Sequence, residues 1–547
     1  MAGQKSPQAD SYVRDRLPPR EQWPVIVPLP QVPMSGPLNC VEFFLDRHLR
    51  SEQAARPAAM SEDRVWSYEQ MADCVGRIAN VMKVHFAIAP GNRVLIRGGN
   101  SPEAVAVWLA IQRIGAVAVT TMSLLRATEL RTIIEIARPA LCVCEEALVP
   151  DLAQAIATDD VELPVLSYGK ESGDMFALMG HVSPDCPVCP TLADDVSIIG
   201  FTSGTTGKPK ATIHFHRDMI AICETVARHM LSPQVDDIFI GTAPLAFTFG
   251  LGGLLAFPLY FGAASVLHGR YTPAEFAGAI ARYKATICFT VPTYYQQIMR
   301  LDSLGPNTAG METTRQKLQS LRLAVSSGEA LPLPVRQAWH EASGLQLTEV
   351  LGSTEMLHAF AGSTGENIRP GFIGPAIPGY EIAVLNEQGE KCAPGEIGSF
   401  AVRGPTGCRY MADARQKNYV RFGWNLTGDA CALSADGYVA YHTRYDDMII
   451  SSGYNISGLE VENVMLDHPA VAECAVIGEP DEERGHVVAA YVVTKDAGQA
   501  GDALARQLQE HVKAAIAPYK YPRRIAFVDK LPRNESGKIQ RFRLRDG

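Results

Sequence analysis

Phe201-Thr202-Ser203-Gly204-Thr205-Thr206-Gly207-Lys208-Pro209-Lys210 follows an apolar run, Val196 to Ile199, that reads as a buried strand. The loop therefore begins at a strand end, where open α/β sheets place their ligands. Its glycines let the backbone turn sharply and expose successive N–H groups, its hydroxyls add donors, and Lys208 and Lys210 add positive charge. The natural guest of such a loop is a polyphosphate. It is not the usual nucleotide P-loop, because Thr202 and Pro209 stand where that motif needs Gly and Ser/Thr. The bland alternative is a Gly/Ser/Thr-rich surface turn.

At 547 residues the chain exceeds one ordinary core, so at least two domains are expected. Hydrophobic residues at 47% and charged residues at 20% are average for a soluble globular protein. A net charge of −9 offers no basic excess to neutralise phosphates, which argues against nucleic acid as the main partner. Met1 to Asp10 is polar with no apolar targeting segment, and 12 cysteines without a framework read as reduced thiols, so a cytoplasmic enzyme is expected. Cys186-Pro187-Val188-Cys189 is a lone pair of thiols, short of the ligands zinc needs. Leu245 to Leu267 is uncharged and long enough for a membrane span. Its Gly250, Gly252, Gly253, Pro258 and Gly262 favour instead a broken helix plus strand packed inside the protein, with no membrane partner.

Residues 1 to about 35 are proline-rich and polar, an arm over the surface, and Leu38 to Leu49 is a plausible first helix. An alternation follows: strand at 93–97, helix at 102–114, strand at 116–121, helix at 127–137, strand at 140–144. This pattern implies parallel β-α-β units covered on both faces. Apolar strands at 285–290 and 321–325 end in Val291-Pro292-Thr293 and Ser326-Ser327-Gly328-Glu329-Ala330, small turn-forming residues that leave room for a ligand. Beyond residue 446 the texture becomes a small α+β pattern, with strands at 448–451, 471–477 and 487–493 and helices at 459–466 and 503–516.

The loop at 201–210 closely resembles the phosphate loop of the adenylate-forming superfamily: acyl-CoA synthetases, luciferases and nonribosomal-peptide adenylation domains. The resemblance runs from about residue 40 to 545. It implies ATP as the nucleotide and activation of a carboxylic acid as its acyl-adenylate. The implied fold is α/β: a large N-terminal domain of parallel-rich sheets covered by helices, residues 1–446, and a small mobile α+β C-terminal domain, residues 447–547. Thr202, Ser203, Gly204, Thr205, Thr206, Gly207, Lys208 and Lys210 would hold the phosphates, and Ser327, Gly328, Glu329 and Ala330 would cradle adenine. In Leu351-Gly352-Ser353-Thr354-Glu355-Met356-Leu357-His358, Thr354 is a phosphate donor and Glu355 a Mg²⁺ ligand, since a carboxylate beside triphosphate needs a cation between them. The superfamily often has Tyr where Leu351 stands, and an aliphatic side chain offers no ring to stack on adenine. Taken alone, Ser-Thr-Glu is a helix-cap signal. Asp429, in Thr427-Gly428-Asp429, can accept from both ribose hydroxyls, and Arg444 would be the second ribose contact. Asp446 matches the domain hinge. Lys538, in Pro532-Arg533-Asn534-Glu535-Ser536-Gly537-Lys538, matches the lysine that bridges the substrate carboxylate and the α-phosphate.

The acid pocket is expected between these motifs, at Phe247, Thr248 and Phe249, where two aromatics beside glycines shape a flat apolar slot. Gly352 to His358 with Ala359 resembles benzoate-CoA ligases, whose histidine reaches the edge of the aryl ring, and Leu17 to Pro24 resembles 2-aminobenzoate-CoA ligases. His358 would then meet an ortho amino group or an ordered water; a satisfied core histidine is the alternative. The implied enzyme is an aryl-CoA ligase, a monomer or homodimer, using ATP, Mg²⁺ and CoA on a small aromatic acid. Its small domain swings about Asp446 so that Gly453 lines the CoA tunnel in place of Lys538. Ser451 to Ile456 also resembles medium-chain acyl-CoA synthetases, which remain the runner-up beside a stand-alone enzyme loading a carrier protein. A luciferase-like oxidase and a nucleotide-binding sensor are the remaining readings; Lys538, Glu355 and Asp429 argue against the sensor.

Overall fold

The computed structural model describes the chain apart from residues 1–4, 158–161, 171, 203–208, 302–312, 445–446, 452–453, 482–484, 497, 499, 517, 534–537 and 546–547. A 6-stranded sheet runs Val165–Tyr168, Leu141–Glu145, Arg93–Arg97, Val117–Thr121, Val196–Thr202, Lys210–Phe215. All its neighbours are parallel except the last pair. Helices Pro102–Arg113 and Ala127–Ala137 make the crossovers that parallel pairs require. The first is started by Ser101, whose hydroxyl accepts from Ala104 N at 3.1 Å, with Pro102 at the first helical position. Along Arg93–Arg97, Val94 and Ile96 enter the central core while Leu95 enters the core on the opposite face. That period of two marks a strand buried on both sides.

The 8-stranded sheet runs Ala359–Gly362, Leu347–Gly352, Leu323–Ser326, Ile287–Thr290, Ile238–Gly241, Ala264–Val266, Pro57–Met60, Val65–Ser67. It is parallel at its centre and antiparallel at both edges. Phe239, Phe289, Val325 and Val350 share the central core with Ile96 and Ile198, so the two sheets are sealed by one apolar layer. The stretch from Leu245 to Leu267 is a broken helix, Thr248–Leu251, Gly252–Ala256 and Phe257–Phe261, followed by a buried strand at Ala264–Val266. No described helix is long and apolar enough to cross a membrane.

Two further sheets lie C-terminal to these. An antiparallel sheet joins Glu381–Leu385, Gly398–Arg403, Trp424–Leu433, Val420–Arg421 and Val439–Arg444. A small C-terminal sheet domain joins Tyr454–Ile456, Ile449–Ser451, Gly485–Thr494, Val471–Asp481 and Arg524–Phe527. Helices Gly458–Leu466 and Asp502–Ala515 share its core through Val461, Met465, Leu504, Leu508 and Val512. The fold class is the one expected.

Leu38–Leu49 is not a single helix. The α-helix Cys40–Phe44 ends at Leu45 (φ −133°), and a tighter 3₁₀ segment, Asp46–Arg50, follows. The buried Leu45 side chain and the Asp46–Arg113 ion pair at 3.0 Å redirect the chain there. The N-terminal arm is pinned by distant partners. Gln8 Nε2 donates to Val196 O at 2.7 Å, Arg93 pairs with Asp10, and Gln416 Nε2 donates to Gln22 O at 2.8 Å.

Candidate functional site

The ends of the glycine-rich loop are held side by side. Thr202 and Lys210 pair in register as antiparallel neighbours, so the loop closes a hairpin between two strands. Ser203, Gly204, Thr205, Thr206, Gly207 and Lys208 lie outside the described residues, as do Asp446 and Gly453.

From the end of strand Leu347–Gly352 the chain turns through Ser353 to His358 and re-enters the sheet at Ala359. Leu357 N donates to Thr354 O at 3.0 Å, and Leu357 itself sits at φ 67°, a conformation that a branched side chain adopts only under constraint. The constraint is complete burial of Met356 and Leu357, plus the Thr406 hydroxyl donating to Met356 O at 2.8 Å. The segment is a strained turn and not a helix cap. It leaves Glu355 only 8% exposed, with its Oε1 accepting from the Tyr410 hydroxyl at 2.6 Å. Lys210 Nζ donates to the same Tyr410 oxygen at 3.3 Å. Burial, and then the Glu355 charge, push the Tyr410 phenol pKa up, so it remains a donor. Thr354 stands against Gly200 of the strand leading into the loop, where a Cβ would meet its Cγ2 at 3.0 Å.

Asp429 and Arg444 face each other across adjacent strands, with Arg444 donating to Asp429 Oδ1 at 2.9 Å and to Thr427 O at 2.8 Å. Gly428 is obligatory between them. It has φ +78°, and a Cβ there would lie 2.7 Å from the guanidinium. Ser327 donates to Val350 O at 2.9 Å, and Gly328 (φ +93°) turns the strand tip so that a Cβ would stand 3.5 Å from Lys538 Cε. Lys538 is exposed at the surface, yet neighbouring protein desolvates its ammonium. Desolvation pulls its pKa below the ordinary value; Glu329, Asp429 and Glu355 oppose this and Arg444 reinforces it. Lys538 thus lies within electrostatic reach of Glu329, Glu355, Asp429 and Arg444, four of the charged groups that the sequence singled out.

The acid-pocket residues are brought together in part. The His358 ring lies 4.7 Å from that of Phe257 and 5.8 Å from that of Phe249, and Phe249 lies 5.2 Å from Phe289. Gly252 presses on the imidazole, since a Cβ there would meet His358 Cδ2 at 2.4 Å. His358 is 2% exposed, and neither ring nitrogen makes a full hydrogen bond among the described residues. Burial pulls its pKa down to about 3, opposed weakly by the Phe249 carbonyl, so the imidazole is neutral. Phe247 starts the helical turn at Thr248 and joins none of these ring pairs; Ala359 packs under Gly352. Leu351 packs against the central core.

Tyr410, Tyr419, Arg409 and Asp218 are site-supporting residues that no sequence signal marks. Tyr419 meets Ser353 Oγ at 3.3 Å. Arg409 and Asp218, both fully buried, pair at 3.1 Å. His214, beside Asp218, hydrogen-bonds Thr354 O at 2.7 Å. Arg533 spans Glu473 at 3.0 Å, Glu329 at 3.7 Å and Thr293 at 3.5 Å. Their partners are distant in sequence, so periodicity could not reveal them.

The arrangement suits a nucleotide polyphosphate. Among the described residues no cluster of three or more His, Cys, Asp or Glu could enclose a metal. Mg²⁺ is usually bound by one or two carboxylates plus substrate phosphates, and the buried Glu355, with only Oε1 engaged among the described residues, fits that donor set.

Two family models match: AMP-binding enzyme over residues 45–410 and AMP-binding enzyme C-terminal domain over residues 460–538. The chain is 31% identical to a benzoate–CoA ligase of Thauera aromatica, covering 94% of this chain and 97% of that one. It is 32% identical to the mitochondrial acyl-coenzyme A synthetase ACSM5 of Mus musculus, covering 88% and 84%. Among solved structures it resembles the anthranilate CoA ligase AuaEII in complex with anthranoyl-AMP, with TM-score 0.85, 30% identity and coverage of 95% and 98%.

Proposed function

The chain belongs to the AMP-binding enzyme family and is an acid–thiol ligase, and on that premise we propose that it converts an aromatic acid, 2-aminobenzoate or benzoate, to its CoA thioester through an acyl-adenylate. The observation that carries this reading is Lys538 standing beside the Gly328 turn, within electrostatic reach of Glu329, Asp429, Arg444 and Glu355. The acid's carboxylate oxygen attacks the α-phosphorus as the bond to pyrophosphate breaks. Lys538 offsets the repulsion between the two anions, a role worth about 3–4 kcal/mol by comparison with oxyanion donors. Asp429 and Arg444 hold the ribose, Ser327 to Ala330 the adenine, and Thr354 a phosphate oxygen. Glu355, with the substrate phosphates, would hold Mg²⁺, which would supply charge neutralisation there. In the second step the CoA thiol loses its proton, its sulfur attacks the acyl carbon, and AMP leaves. The small domain, residues 447–547, turns about Asp446 between the steps to withdraw Lys538 and admit CoA past Gly453.

The choice of an aryl acid rests on His358. A buried neutral imidazole that makes no full hydrogen bond among the described residues, walled by Phe249 and Phe257, matches the polar edge of a flat ring carrying an ortho substituent. The likeness to anthranilate and benzoate CoA ligases supports it. The likeness to ACSM5 keeps a medium-chain acid as the second reading. The test is CoA-dependent AMP release with benzoate, 2-aminobenzoate, hydroxybenzoates, phenylacetate and octanoate. Preference for benzoate or 2-aminobenzoate supports the aryl pocket; octanoate winning overturns it.

A further inference from the structure

The hydroxyl of Tyr410 lies between two charged groups from different elements. Lys210, at the end of the phosphate loop, is 3.3 Å away, and Glu355 is 2.6 Å away. The direction of both hydrogen bonds follows from chemistry. An ammonium has no lone pair to accept with and a carboxylate no hydrogen to donate, so the phenol oxygen accepts from Lys210 and its single proton goes to Glu355 Oε1. One carboxylate oxygen is thereby fixed, and Oε2 has no hydrogen bond among the described residues.

Tyr410, which carries the phenol, has its backbone held on both flanks. Its backbone N donates to Gln416 Oε1 at 2.8 Å, and the flanking residues add Ile213 N to Arg409 O at 2.9 Å and Met411 N to Ala211 O at 2.9 Å. Gln416 also donates to Gln22 O, and the Tyr419 ring stands edge-on at 5.6 Å. A group this constrained is built to aim its partner.

We propose that Tyr410 is a positioning residue for the metal-binding carboxylate: it spends one oxygen of Glu355 on a fixed hydrogen bond, ties that carboxylate to the end of the phosphate loop through Lys210, and presents the other oxygen to the Mg²⁺ of the nucleotide. The proposal rests on Glu355 as the metal ligand. Outer partners of metal-ligating carboxylates orient the ligand, and their loss weakens metal binding about tenfold or more. Tyr410 touches neither substrate nor metal in this scheme.

The experiment compares nucleotide binding by calorimetry with and without the metal, for wild type, Tyr410→Phe, Glu355→Gln and the double variant. With ATP in EDTA, Tyr410→Phe is expected to bind within about twofold of wild type. With MgATP it is expected to lose affinity on the order of tenfold and to need correspondingly more Mg²⁺ for half-maximal adenylation. The double variant leaves no bare carboxylate against the ring, so it remains informative if Tyr410→Phe alone is poorly folded; its loss should equal that of Glu355→Gln. A Tyr410→Phe loss equal with and without Mg²⁺, or none at all, overturns the proposal while a Mg²⁺-specific loss in Glu355→Gln leaves the metal reading standing. Additive losses in the double variant also overturn it. If Glu355→Gln shows no Mg²⁺-specific loss, the metal reading falls and the proposal with it.

Discussion

Replacing Arg533 by Met should shift the balance between the two half-reactions while leaving the nucleotide contacts in place. Arg533 belongs to the C-terminal domain, and contacts run from it to the residues that follow two strands of the 8-stranded sheet: Glu329, beyond Leu323–Ser326, at 3.7 Å and Thr293, beyond Ile287–Thr290, at 3.5 Å. Its contact with Glu473 at 3.0 Å stays within its own domain and does not count toward docking. Arg533 is 25% and Glu329 21% exposed, so solvent screens the pair and it contributes about 0.5–1 kcal/mol. The bond to Thr293 adds about 0.5 kcal/mol. A loss of about 1–1.5 kcal/mol corresponds to a factor of about 5–12 in the equilibrium between the Lys538-engaged and Lys538-withdrawn arrangements. How this divides between the two rates depends on where the equilibrium starts. If the engaged state dominates, thioester formation rises; if it is minor, adenylation falls. The ratio of the two rates changes by the full factor in either case. Single-turnover adenylate formation from ATP and acid, set against AMP release from synthetic acyl-adenylate with CoA, measures that ratio. High salt should shrink the effect. A ratio unchanged within twofold, or moved in favour of adenylation, refutes the latch.

Other consequences are open to measurement. Burial holds His216 and His358 neutral, pulling both pKa values down to about 3, whereas in the unfolded chain each takes up a proton near 6.5. Stability is therefore lost as pH falls through 6.5, by about 1.4 kcal/mol per histidine between pH 7.5 and 5.5. In urea titrations the stability gap between wild type and His216→Gln should narrow by that amount over the interval, and a constant gap would show that the imidazole titrates normally. Arg409→Met removes the nearest cation from the fully buried Asp218, leaving it Arg217 at 3.8 Å, and should destabilise by about 3 kcal/mol, with part of the loss recovered by adding Asp218→Asn; thermal denaturation decides. Gly252→Ala places a methyl about 2.4 Å from His358 Cδ2, an overpacking costing about 1–3 kcal/mol. It should raise KM for aryl acids and leave KM for ATP alone, and an unchanged aryl KM would remove His358 from the pocket.

The parallel sheet was legible because its strands are apolar on both faces and its helices carry cap signals, as at Ser101-Pro102. The site residues stood out as short motifs, and of the described ones Glu329, Glu355, Asp429 and Arg444 all act on Lys538. Illegible were features made by distance in sequence. The Tyr410–Glu355 bond spans 55 residues and Arg409–Asp218 spans 191. Leu45 looked helical because its apolar spacing was right, yet burial and an ion pair at Asp46 break the helix there. The antiparallel sheet from Glu381 to Arg444 gave no reading either. Its strands alternate with glycine-rich turns and carry motif residues, so function and fold are written over each other there.

The clasp between Gln22 and Gln416 spans 394 residues and sits directly behind Tyr410. During synthesis at about 5–20 residues per second, the arm waits on the order of 20–80 s for its partner to leave the ribosome. Trp23, which packs against Phe215 and lies under the Arg409 guanidinium, waits for the same segment to supply Arg409. The parallel sheet can assemble vectorially, but the wall that aims Glu355 closes only as a late, long-range event. Maturation of the site is thereby delayed until most of the chain is already made.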